Sequence, residues 1–113
     1  MLSDASRVKI DRLAEELVEL YDQPFGGKTR GRFRVSMKLL GGMLGKSRVW
    51  PEEVEAIGRA LYERGYVSID MSSYLVVLSQ KTFANYRRVN AAALEGPARK
   101  DQPDARDPAQ GSA

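Results

Sequence analysis

Apolar positions recur at helical intervals from the start of the chain, with Ile10, Leu13, Ala14, Leu17, Leu20 and Tyr21 on one side and Lys9, Arg12, Glu15, Glu16 and Glu19 on the other. This pattern predicts an amphipathic helix from about Ser3 to Asp22, capped by Ser3 or Asp4 and ended by Pro24, Gly26 and Gly27. Val35, Met37, Leu39, Leu40, Met43 and Leu44 predict a second helix of about ten residues. Gly41 and Gly42 interrupt it, and each interior glycine costs about 1 kcal/mol relative to alanine unless a close neighbour requires it. A third helix opens at Pro51, carries Glu52, Glu53 and Glu55 where the helix dipole favours acid, and ends at Gly65. Val54, Ile57, Gly58, Leu61 and Tyr62 form its packing stripe.

The period then changes from 3.6 to 2. Tyr66 to Met71 and Tyr74 to Ser79 read as two strands joined by a tight turn at Ser72-Ser73, with Val67, Ile69 and Met71 alternating. A fourth helix is expected from about Thr82 to Leu94, packing through Phe83, Tyr86, Val89 and Ala93. Residues 95–113 contain Pro97, Pro103 and Pro108 with little to bury, which predicts a disordered tail after one domain over residues 1–94.

Charge sharpens this picture. Between Asp22 and Glu52 there is no acidic residue and there are seven cations: Lys28, Arg30, Arg32, Arg34, Lys38, Lys46 and Arg48. The natural partner of such a block is a polyanion. Lys28, Arg30, Arg32 and Arg34 occupy alternate positions, so an extended backbone would set all four on one side, spaced to follow phosphates. The Arg30-Gly31-Arg32 core resembles the centre of minor-groove arms such as AT-hooks, without their flanking prolines. A solvated basic edge strand is the simpler account of the same residues.

Composition excludes several kinds of chemistry. Among 113 residues there is no histidine and no cysteine, which removes imidazole catalysis, thiol nucleophiles, disulfides and zinc-finger ligation. The acidic residues are scattered, so the expectation is no enzyme, no catalytic residue, no metal and no cofactor. Gly45-Lys46-Ser47 has the closing letters of a phosphate-binding loop, but Leu40 stands where that motif needs glycine. The longest apolar run, Tyr74 to Leu78, is far short of a membrane span, and no signal-peptide core precedes it, so a soluble, cytoplasmic protein is expected. Trp50, just before Pro51, is expected to cover the core or staple the third helix rather than stack on a base. Arg87 and Arg88 are read as a solvated face, and Lys81, near a helix start, as a candidate anion contact.

The element order, and the stretch Val54-Glu55-Ala56-Ile57-Gly58-Arg59-Ala60-Leu61-Tyr62-Glu63-Arg64-Gly65-Tyr66-Val67, resemble winged helix-turn-helix domains of bacterial regulators over residues 3–94. The resemblance implies a mainly helical α+β fold with a two- or three-stranded wing and a C-terminal fourth helix. It further implies a double-stranded DNA partner, a homodimer on paired half-sites and a role as a small transcriptional regulator or plasmid or phage accessory factor. Lys28, Lys38, Lys46 and Arg48 are then expected on phosphates, and Arg30, Arg32 and Arg34 in a groove. The chain departs from the pattern where its third helix opens on acid and its wing tip, Asp70 to Ser73, lacks lysine and arginine. The alternative is therefore an adaptor that binds another protein through the acidic third helix and uncharged wing. RNA is a further possible target of a basic arm, though the aromatic platform usual for single strands is missing.

Overall fold

The computed structural model describes residues 2–96. Helix α1 (Asp4–Tyr21) starts where Ser3 accepts from the Ser6 N–H and buries Ile10, Leu13, Ala14, Leu17 and Tyr21. Strand β1 (Phe33–Ser36) follows, then α2 (Met37–Met43), α3 (Pro51–Glu63), β2 (Tyr66–Asp70), β3 (Tyr74–Ser79) and the short α4 (Ala91–Leu94). The three strands form an antiparallel sheet in the order β1-β3-β2. The fold is thus α+β, with four helices and one three-stranded sheet among the described residues. The expected tail from residue 97 onward lies outside them.

Register decides which side chains enter the core. Phe33 pairs with Val77 and Val35 with Leu75, so β1 adds its apolar residues to the face on which Leu75 and Val77 are fully buried. These join Leu13, Leu17, Leu40, Ile57 and Leu61 in the core. On β2 the same face carries Ser68 opposite Val77 and Asp70 opposite Leu75, while Val67 and Ile69 pair with Leu78 and Val76 on the outer face. The alternation of Val67, Ile69 and Met71 therefore marks a strand whose apolar set points away from the core. The reason lies in α3: a Cβ at Gly58 would stand 2.8 Å from the Ser68 Oγ, so helix and strand approach too closely for anything larger there. Ile69 and Met71 are left 41% and 47% exposed.

Helix α2 is shorter than the apolar spacing predicts, because Ser36 caps it and the chain turns at Leu44-Gly45. Gly41 is explained by proximity. A Cβ there would lie 2.9 Å from the Lys46 carbonyl oxygen, and the Lys46 N–H donates to the Gly41 carbonyl at 2.8 Å. Gly41→Ala is therefore expected to destabilise by about 1–2 kcal/mol despite alanine's better helix propensity. Gly42→Ala, with open space around it, is expected to stabilise by up to about 1 kcal/mol. Thermal unfolding of the two variants should shift in opposite directions.

The single C-terminal helix expected over Thr82 to Leu94 does not form. After β3 the chain makes a 3-10 turn (Gln80–Phe83) capped by Ser79, runs irregularly, and forms α4 only after Asn90 accepts from the Ala93 N–H at 2.8 Å. Asn85 and Asn90 compete with the helix for backbone hydrogen bonds. Tyr86 and Val89, 62% and 74% exposed, find no core to reward a continuous helix.

Candidate nucleic-acid interface

The basic segment is folded, and its cations fall into three environments. Beyond α1, Phe25 and Lys28 exchange backbone hydrogen bonds of 3.0 and 3.1 Å across a tight turn, in which Gly26 and Gly27 have φ of 59° and 82°. Both values are in the left-handed region that glycine reaches without strain. Gly31, at φ 125°, donates to the Tyr21 carbonyl at 2.8 Å and redirects the chain. The continuous extended arm from Lys28 to Arg34 is thereby corrected: regular strand starts only at Phe33. Lys28 lies at the turn. Arg30 is held at the end of α1, its Nε 3.0 Å from Asp22 Oδ1 and its guanidinium 5.6 Å from the Tyr21 ring. Asp22 bonds both Nε and Nη2 of Arg30, which keeps the guanidinium above its ordinary pKa. Tyr21 in turn meets Tyr66 edge to face, and burial first, then the Asp22 charge, raises the Tyr66 phenol above its usual value.

Arg32 and Arg34 form the second environment, exposed on either side of half-buried Phe33 along the free edge of β1. Arg34 lies on the outer face of the sheet, its guanidinium 5.2 Å from the Tyr74 ring. The third environment is α2 with the turn that follows. Lys38 is exposed on the first turn of α2, close to the hairpin tip, since the Met37 N–H donates to the Ser73 carbonyl at 2.9 Å. Lys38 and Arg48 line a crevice of about 480 Å³ with Val54, Asp70 and Ser72. Four strand residues span about 10 Å, so Arg32, Arg34 and Lys38 form a short cationic stripe along one sheet edge into α2.

Lys46 does not belong to that stripe. Its Nζ lies 2.6 Å from Oε2 of Glu53, whose side chain is only 8% exposed. Burial alone would raise the Glu53 carboxyl, but the hydrogen bonds from Lys46 and from the Trp50 N–H, with the Lys46 charge, hold it below the usual carboxylate value. Glu53 is thus the internal brace of the α3 start, reached through a 2.8 Å bond from the Trp50 N–H. A glutamate three positions after a helix N-cap is the sequence signal for such a brace; its pairing with Lys46 is not visible in the sequence. Trp50 neither covers the core nor is buried. It is 46% exposed, with the Arg48 guanidinium 4.4 Å from its ring centroid.

Among the described residues, Lys28, Arg32, Arg34, Lys38 and Arg48 make no ion pair; two of the seven cations, Arg30 and Lys46, do. The exposed face of α3 is acidic, with Glu52, Glu55 and Glu63 against Arg59. It lies beside α1, which exposes Asp11, Glu15, Glu16 and Glu19 together with Arg7, Lys9 and Arg12, and α1 and α3 pack together and are tied by Arg64 to Glu15 at 3.6 Å. Acid therefore dominates the exposed face of α3, and α3 rests on β2. Of the basic segment's unpaired cations, Arg32 and Arg34 lie along β1, at the opposite sheet edge, and Lys38 on α2, while Arg7, Lys9 and Arg12 of α1 and Arg59 of α3 are also exposed and unpaired among the described residues. Of the other cations singled out in the sequence, Arg87 and Arg88 lie exposed in the irregular segment before α4, and Lys81 lines a cavity with Arg30 and Arg64. Among the described residues there is no group of three or more carboxylates that could hold a metal ion, and no helix long and apolar enough to cross a membrane.

The class these elements define is a small α+β domain, three-stranded and antiparallel, with a one-sided basic edge. Comparison with protein-family models, with curated proteins and with solved structures gives no match.

Proposed function

We propose that this chain is a non-enzymatic winged-helix protein that binds double-stranded DNA through the β1 edge, α2 and the turn before α3. The observation that carries the reading is the run of Arg32, Arg34, Lys38 and Arg48, all exposed and none matched by a carboxylate. Three cations along the β1 edge into α2, with Arg48 on the turn before α3, suit phosphate neutralisation, with the arginines able to reach base edges as well. The exposed acids of α3 would repel phosphates. In this proposal α3 is a supporting helix, and DNA is met from the side of β1 and α2. The further proposal is a role in transcription regulation.

The test is fluorescence anisotropy of labelled random-sequence duplex DNA at several salt concentrations. The native protein is expected to show a steep salt dependence. The variant with Arg32, Arg34 and Lys38 changed to alanine should lose affinity, and its slope should fall by about two to three units. Arg30→Ala should change the slope less than Arg32→Ala, because Arg30 is already held by Asp22. An unchanged slope in the triple variant would remove this edge from the interface.

One observation favours a second reading, the protein-binding adaptor. The outer face of the sheet exposes Ile69 and Met71 beside Val67 and Val76, and exposed apolar patches commonly mark protein contacts. Weak, salt-insensitive DNA binding would shift the balance to that reading.

A further inference from the structure

Trp50 is the one tryptophan of the chain, and its backbone is held by the start of α3. The backbone N–H of Trp50 donates to Glu53 Oε1 at 2.8 Å, and its backbone carbonyl accepts from the Glu53 and Val54 N–H groups at 2.9 and 3.1 Å. Glu53 is itself clamped by Lys46. Pro51 follows, and a residue before proline is kept extended, as Trp50 is at φ −83° and ψ 154°. The residue is nonetheless nearly half exposed, where so large an apolar surface is unusual.

Among the described residues, the group found on that ring is a cation. Arg48 lies 4.4 Å from the ring centroid, within the range of a cation–π contact, and is itself exposed. Arg48 and Lys38 also line the crevice beside the turn. An exposed aromatic ring, a guanidinium on it and, alongside, a crevice lined by Lys38 and Arg48 with Asp70 can grip a nucleobase outside its stack: the ring supplies stacking and the cations hold the adjoining phosphates. Paired bases inside an intact duplex have no free face to offer. An unpaired or bulged base has one, and costs least to extrude.

We infer that Trp50 and Arg48 form a stacking site for an unpaired nucleobase, so that the protein prefers duplex DNA carrying one extruded nucleotide to the intact duplex. This inference rests on the DNA-binding reading above, with the β1 edge holding the duplex and Trp50 reading the discontinuity. The experiment titrates the full chain with a labelled intact duplex and with the same duplex carrying one unpaired nucleotide. It records label anisotropy for binding and tryptophan emission for contact at Trp50, since no other residue contributes to that emission.

The expected result is roughly tenfold tighter binding of the bulged duplex, in keeping with the worth of one base stacked on an aromatic ring, together with quenched emission. Trp50→Ala should abolish the preference and leave the salt slope intact, with Trp50→Phe retaining part of the preference. Circular dichroism checks the fold of both variants, whose helix-capping bonds come from the backbone of residue 50. Equal affinity for the two duplexes with unchanged emission, while anisotropy still reports binding, would overturn the stacking site and leave the DNA-binding reading standing. No binding to either duplex would overturn both.

Discussion

Leu61→Ala is expected to lower the free energy of unfolding by about 3–5 kcal/mol, the range for a fully buried leucine whose cavity cannot close. Leu61 is 0% exposed and sits on α3 among Leu13, Leu17, Leu75 and Val77, where α1, α3 and the sheet meet. Each of these neighbours is fixed by its own element, which limits collapse around the missing atoms. Small domains have roughly 5–15 kcal/mol in all, so the loss would be a large part of the total. Leu39, 64% exposed on α2, is the control: Leu39→Ala should change stability by no more than about 0.5 kcal/mol. Urea unfolding checks both, and the midpoint of Leu61→Ala should fall with an unchanged slope.

The second large effect belongs to Glu53. Glu53→Ala removes the acceptor of the Trp50 N–H and the partner of Lys46 in one step. Breaking a fully buried pair costs about 3–5 kcal/mol. The Lys46 side chain is 33% exposed and can turn its ammonium to water, so about 2 kcal/mol is expected here. The pH dependence follows from the lowered carboxyl of the folded state. Its contribution is complete above the unfolded glutamate value of about 4.3 and is lost as pH falls through the lower folded value. Stability of the native protein should therefore drop below about pH 4.3, and Glu53→Gln, which keeps an oxygen for the Trp50 N–H, should flatten that drop. Equal pH profiles for the native protein and Glu53→Gln would show that the ion pair contributes nothing to folding.

Much of the fold is legible where local chemistry is self-sufficient. Ser3, Pro51 and Gly65 mark helix ends by satisfying or sparing backbone groups, and a two-residue turn at Ser72-Ser73 separates two β-rich runs. Alternation along β2 announces two unlike faces but not which one is covered, and that choice is made by the close approach of Gly58 to Ser68. The fourth helix fails because propensity without a core does not hold Tyr86 and Val89 in a helix.

Charge in the candidate interface is only partly legible for a related reason. The basic block has no acid within it, yet Asp22 and Glu53, from just beyond its two ends, fold back onto Arg30 and Lys46. Only contacts in space distinguish these two from Arg32, Arg34 and Lys38. The exposure of Trp50 follows from its place at the start of α3, where the chain direction is fixed by Pro51 and Glu53 and leaves the indole outside.

The exposed acids of α3 and the unpaired cations along β1 and α2 distribute charge unevenly over the domain. In the field of a polyanion such a body feels a torque before it feels a contact. It would arrive already turned, basic edge first, so that fewer collisions are wasted on the wrong side. Added salt would then slow its arrival much more than it hastens its departure.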